Sequence, residues 1–163
     1  MIRQATAADI PALYDFYREL VADMRAHGDE QWDDEYPAMM VQPNVEAGEV
    51  YVEEEDGRLR ATVTLGTEPD PEFEHLPWIP AASTVYIQRL AVGPRFQGQG
   101  LAKAMMDFGL RHAQKTGAET LRLYVSPENV AAYRLYERYG FDYVATIHFE
   151  FSDHPYHCMN RRV

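Results

Sequence analysis

Only one cysteine, Cys158, occurs in the 163 residues, so no disulfide can close within one chain and no cysteine zinc site can be assembled from it. No apolar run approaches the roughly 18 residues that span a bilayer, and the start "MIRQATAADIPALYDF" has no stretch long enough for a signal sequence. A soluble, cytoplasmic protein is the expectation. Internal repeats and low-complexity tracts are missing too, which excludes solenoid and fibrous architectures. Basic residues are scarce: 15 Lys and Arg stand against 26 Asp and Glu, a formal net charge of −11 that repels nucleic acid and anionic membrane surfaces. One further absence is local. From Thr84 to Met106 there is no Asp or Glu, while Arg89, Arg95 and Lys103 make the segment net positive. What remains is 46% hydrophobic and 12% aromatic, enough for the core of one compact domain covering residues 1–163.

Ile2 to Ala5 reads as a short strand feeding a helix that starts between Thr6 and Asp9, with Ile10, Leu13, Tyr14, Tyr17, Leu20, Val21 and Met24 at helical spacing as far as His27-Gly28. A second helix, interrupted by Pro37 and Pro43, is predicted over 33–47. Val50 to Val52 and Leu59 to Leu65 flank Asp56-Gly57, the signature of an antiparallel hairpin, and Glu53, Glu54 and Glu55 read as a solvated charge run at its tip. Residues 66–83 carry four prolines and form a long loop. Then come a strand over 84–92, a helix over 98–116 with buried stripe Leu101, Met105, Phe108 and His112, a strand over 120–125, a helix over 129–139, and strands over 143–151 and 157–162. The order makes a mixed α+β domain.

The turn "GPRFQGQGLA" links the 84–92 strand to the following helix. Its spacing, Arg95-x-x-Gly98-x-Gly100, gathers unpaired N–H groups and the positive end of a helix dipole, with no carboxylate in the first turn. A phosphate-binding loop would need Gly-Lys-Ser/Thr, and a dinucleotide fingerprint would need a third small residue where Lys103 stands. An anion site and an ordinary turn both remain. Downstream, "NVAAYRLYERYGF" sets Asn129, Ala132 or Tyr133, Tyr136 and Gly140 near one helical face.

Together, in this order and spacing, these two stretches resemble the GCN5-related N-acetyltransferase (GNAT) family, closely over residues 84–141 and in outline elsewhere. The resemblance implies a single central twisted mixed β-sheet flanked by helices, whose splayed strands over 84–92 and 120–125 form an acetyl-CoA groove. It implies that Arg95, Gln97, Gly98, Gln99, Gly100, Leu101 and Ala102 hold the pyrophosphate of acetyl-CoA, and that Leu90, Ala91 and Val92 offer backbone groups to the pantetheine arm. Asn129 and Ala132 would contact the cofactor, and Tyr136 would touch it and protonate the departing thiolate. The implied activity is transfer of the acetyl group to a primary amine of a small molecule by direct attack in a ternary complex. A non-catalytic acyl-CoA-binding module and a protein or peptide N-acetyltransferase are the alternatives, and a homodimer stays open.

The sequence departs from the clearest family members in its base, since the 84–92 strand supplies Tyr86 and Gln88 but no Glu. A water relay from Glu53, Glu54, Glu55 or His75 is the remaining route, each reading better as a surface residue, so no base is assigned. His154, His157 and Cys158 sit in a hairpin context without a second ligand pair, so no metal is expected. The acids of 68–74, with Phe73 and Trp78, read first as a solvated loop and second as a lining for an amine cation.

Overall fold

The computed structural model describes all 163 residues. In chain order the elements are β1 (Ile2–Gln4), α1 (Ile10–Ala26), α2 (Ala38–Glu46), β2 (Val50–Glu55), β3 (Arg58–Gly66), β4 (Thr84–Val92), α3 (Leu101–Thr116), β5 (Thr120–Val125), α4 (Val130–Arg138), β6 (Asp142–His148) and β7 (Pro155–Arg162). The strands form one mixed sheet in the order β1-β2-β3-β4-β5-β7-β6, the α+β arrangement expected from the sequence. Packing divides the chain into two units: Met1–Leu65 with Arg89–Phe108, and Gly66–Gln88 with Gly109–Val163. No helix is long and apolar enough to cross a membrane.

In the first unit, the period of α1 carries Leu13, Phe16, Tyr17 and Leu20 into a core completed by Val41 and Val45 of α2, Val50 and Val52 of β2 and Ala91 of β4. Helix α2 begins several residues later than its sequence pattern predicts. The Asp33 carboxylate accepts from the amides of Glu35 (2.9 Å) and Tyr36 (2.8 Å), a local turn that competes with helix, and a residue preceding proline disfavours helical backbone. The β2–β3 hairpin turns at Asp56-Gly57, both residues at positive φ (51° and 74°), as a two-residue turn of primed type requires.

The acids of that hairpin differ from expectation. Glu53 is only 5% exposed, and Arg60 grips it with two contacts of 2.7 Å while the N-terminal ammonium adds one of 2.9 Å. Glu54 pairs with Arg3, which also meets Asp9 through two bonds of 2.8 Å, and Glu55 takes the other end of Arg60 at 2.7 Å. The chain folds the cations back onto the run, and a bulge between Glu53 and Glu54 turns neighbouring acids to different partners.

These pairs set the acid limb of stability. Hydrogen bonding to Arg60 holds the Glu53 carboxyl below its ordinary value, and bonding to Arg3 lowers Asp9 to about 2. A folded-state value below the unfolded one favours folding above the unfolded value and ceases to do so as pH falls through the folded one. The contribution of Asp9 is therefore lost from about pH 4 to about pH 2. In Arg3→Met the gap between urea midpoints at pH 6 and pH 2 narrows, because Asp9 returns toward its ordinary range; an unchanged gap refutes the assignment.

In the second unit, β4 pairs in parallel with β5 from Thr84↔Thr120 to Tyr86↔Arg122 and no further, while β5 pairs with β7 along its whole length and β7 with β6, both antiparallel. The pairing of β4 and β5 thus ends early, as expected for splayed strands. Strand β7 starts at Pro155, two residues ahead of its sequence prediction. The long loop is pinned. Phe73 is 3% exposed inside a cluster with Tyr86, Ile147, Phe149, Tyr156 and Cys158. Trp78 donates its indole N–H to the Phe73 carbonyl (3.0 Å), and the Arg122 guanidinium covers its ring at 4.9 Å. Both aromatics are consumed by packing, which removes them from the amine-cation lining considered from sequence.

Candidate active site

The glycine turn lies in the first unit. Strand β4 ends at Val92, a short turn covers Pro94–Phe96, and α3 starts at Leu101 rather than at Gly98 as predicted. The reason is backbone sign: Gly98 and Gly100 have φ of +76° and +79°, which a right-handed helix cannot contain. Gly93 makes an informative contrast. A Cβ there would meet Phe96 at 3.2 Å and Phe16 at 3.3 Å, and its N–H donates to Arg60 O at 2.8 Å, so this glycine is demanded by packing. A Cβ on Gly98 or Gly100 would meet nothing within 4 Å. Nothing in the chain crowds those two glycines, and their faces stay bare to an outside ligand.

The hydrogen bond from Ala104 N to Gly100 O (3.0 Å) opens the helix ladder, so the amides at the start of α3 have no turn beneath them to bond. The first turn of α3 holds no acid. Backbone donors, helix dipole and missing Cβ atoms suit a pyrophosphate, so the residues present fit that part of acetyl-CoA. Gln97 and Gln99 are exposed around the turn, Leu101 is buried beneath it, and Ala102 is half-buried. Arg95, 71% exposed, pairs through Nε with Glu19 of α1 at 3.0 Å. The local sequence is free of acids, yet α1 delivers one. An exposed pair of this kind is worth about 0–1 kcal/mol, little enough for a phosphate to displace.

Upstream, Arg89 has φ of +49° in mid-strand, an uncommon conformation for a residue with a side chain. It kinks β4 immediately before Leu90, Ala91 and Val92, of which Ala91 is buried and the other two are half-buried. Nothing in "IQRLAV" signals that kink.

The second unit carries the rest of the predicted set. Asn129 caps α4, its Oδ1 accepting from Ala132 N at 3.2 Å, so its side-chain oxygen is committed to the helix and the amide nitrogen is the end left to a ligand. Tyr133 turns to His157 Nδ1 (3.0 Å). Tyr136 is 7% exposed, stacks edge-on to Phe141 at 6.1 Å, and has its phenol pushed up to about 12 by burial. The ordinary tyrosine value assumed from sequence understates how firmly this proton is held.

Strand β4 confirms the missing carboxylate, offering Tyr86 and Gln88. Glu53, Glu54 and Glu55 are engaged in the ion pairs described above, and the His75 side chain is 95% exposed on a loop at φ +65°. None has the setting of a base. No group of three His, Cys, Asp or Glu side chains is arranged to hold a metal ion.

The sequence profile of the acetyltransferase (GNAT) family matches residues 13–141. The chain belongs to that family. Among GNAT structures, an acetyltransferase from Streptococcus agalactiae superposes with a TM-score of 0.82 at 20% identity over 100% of this chain and 95% of its own. A Salmonella typhimurium protein solved with its cofactor acetyl-CoA gives 0.68 at 22% identity, covering 99% of this chain and 92% of that one. In sequence, a mycothiol acetyltransferase from Streptomyces avermitilis is 49% identical over 57 residues, which is 35% of this chain and 18% of the relative. The match to such curated relatives spans only about a fifth of their length.

Proposed function

We propose that this GNAT chain is an N-acetyltransferase that passes the acetyl group of acetyl-CoA to a primary amine of a small molecule, by direct attack in a ternary complex. The observation that carries it is the turn at Gly98 and Gly100, two left-handed glycines with bare faces ahead of an acid-free helix start, in a chain matched by the family profile over residues 13–141. Residues 1–163 act as one acetyltransferase domain, since β4 and α3 each run through both units.

Acetyl-CoA supplies an activated thioester. Arg95 to Ala102 hold its pyrophosphate, Leu90, Ala91 and Val92 offer backbone groups to its pantetheine arm, an amide near Leu90 takes the negative charge developing on the carbonyl oxygen, and Asn129 and Ala132 flank the cofactor. The amine must first lose a proton. At pH 7 an alkylamine of pKa about 10.4 is neutral in about one molecule in 2,500, so water passes that proton to solvent, with no carboxylate of β4 to assist. As nitrogen bonds to the carbonyl carbon and the carbon–sulfur bond breaks, Tyr136 gives its proton to the sulfur. Stepwise transfer from a phenol near 12 to a thiolate near 8.5 is uphill by about 5 kcal/mol, so the proton moves together with bond cleavage.

Thiol release from acetyl-CoA across panels of small amines and peptides tests the reading. Turnover with small amines is the expected result. Calorimetric binding of acetyl-CoA without transfer to any acceptor overturns catalysis in favour of a binding module, and transfer to peptides alone overturns the small-molecule acceptor.

A further inference from the structure

Resting on that reading, we infer that Glu19 of α1 is an internal competitor for the donor's pyrophosphate: its carboxylate holds Arg95 until acetyl-CoA arrives, and so lowers the affinity of the turn for acetyl-CoA and for the product CoA alike. The placement follows from packing within the first unit. Gly93 has no side chain, and a Cβ there would meet Phe16 of α1 at 3.3 Å, so the missing group lets the helix lie close against the start of the turn. Phe16 is buried in that seat, and Glu19 follows it by three residues on the same helical face. That register brings the Glu19 carboxylate to Arg95, two residues beyond Gly93, with Oε1 3.0 Å from Nε.

What the pair does to a ligand follows from its charges. The segment from Thr84 to Met106 contains no acid, so the carboxylate beside Arg95 has to come from another element. Helix α1 does not neutralise it first, because Arg18, the cation next to Glu19 in sequence, is taken by Asp15 at 2.8 Å. While Glu19 holds Nε, the side edge of the guanidinium is closed to a phosphate, and at the other edge a phosphate still meets the carboxylate's charge across the same planar group. Binding therefore costs either the pair or the repulsion. Both side chains are more than half exposed, at 71% and 52%, so the pair yields to a ligand and tunes affinity without blocking the turn. Donor and product carry the same pyrophosphate. Glu19 thus loosens the hold on both, which limits inhibition by the CoA that each turnover leaves behind.

Calorimetric titration of acetyl-CoA and of CoA tests this without any acceptor. Glu19→Gln, which keeps the side chain's shape and removes its charge, lowers both Kd values by about 2- to 10-fold, the worth of one exposed pair together with one screened repulsion. Arg95→Gln raises both. In the double variant the gain from Glu19→Gln largely disappears, since no cation remains to be released, and with Arg95 present the gain shrinks as sodium chloride rises from ~0.05 M to ~0.5 M. Melting curves verify that all three variants are folded. A Glu19→Gln protein that binds no tighter, a gain of the same size with Arg95 replaced, or a gain indifferent to salt overturns the inference. Failure of the underlying reading looks different: CoA that does not bind the parent protein, or an Arg95→Gln protein that binds it as tightly as the parent, removes Arg95 from the donor site and the inference with it.

Discussion

Replacing Tyr136 by phenylalanine lowers kcat by about 100-fold or more while the KM for acetyl-CoA changes little, because a general acid contributes about 10²- to 10⁴-fold and acts in the transition state rather than in binding. The substitution is clean. The ring is buried against Phe141, no charged neighbour contributes to its elevated value, and phenylalanine keeps the packed volume. Because burial holds the phenol protonated up to about pH 12, the parent-to-variant ratio stays flat across pH 6 to 10, and any limb in the rate profile there belongs to the acceptor or its water relay. Steady-state kinetics at several pH values are sufficient. An undiminished kcat removes Tyr136 from the mechanism, and a loss confined to KM makes it a binding residue.

At Gly100 the expected result is the opposite kinetic split. Gly100→Ala raises the Kd for acetyl-CoA by about 10- to 100-fold, the worth of one displaced charge-assisted amide contact, with kcat at saturating donor largely kept. The new Cβ meets no atom of the protein within 4 Å, so packing is undisturbed and the cost to folding is the left-handed backbone at φ +79° alone. Gly100→Asn separates the two effects. Asparagine tolerates positive φ, so it recovers stability, yet it still puts a Cβ in front of the amides and stays weak in binding. Calorimetry for affinity and thermal melts for stability distinguish them. An affinity loss in alanine that asparagine restores would show that strain matters at this turn and ligand approach does not.

Both variants were legible targets in the letters because short-range rules govern them. Asp56-Gly57 fits its turn since only a few residues take positive φ cheaply, and the apolar period of α1 marks its buried face since helix geometry repeats every 3.6 residues. The turn at Gly98 and Gly100 and the α4 face with Asn129 and Tyr136 obey the same kind of local spacing. Element ends were less legible. Helix α2 starts late because the Asp33 side chain captures two amides, and α3 because two glycines adopt the other hand, choices between competing local hydrogen bonds that periodicity does not weigh.

Long-range partners were beyond the sequence. Glu53 reads as one more acid in a solvated run, yet Arg60 and the N-terminus bury it; Arg95 sits in an acid-free stretch, yet Glu19 of α1 stands beside it. Phe73 and Trp78 read as a possible cation lining until the core and Arg122 take them up.

By itself the sequence determined the family and marked the glycine turn proposed for the donor and the proposed acid, because each is a local pattern imposed by backbone geometry at a helix end or on one helical face. Only the tertiary structure decided the ionisation of Tyr136, the commitment of Asn129 to a cap, the ion pairs of the hairpin and the left-handed turn of β4 at Arg89. Those depend on desolvation and on which distant side chains come within a few ångströms of one another.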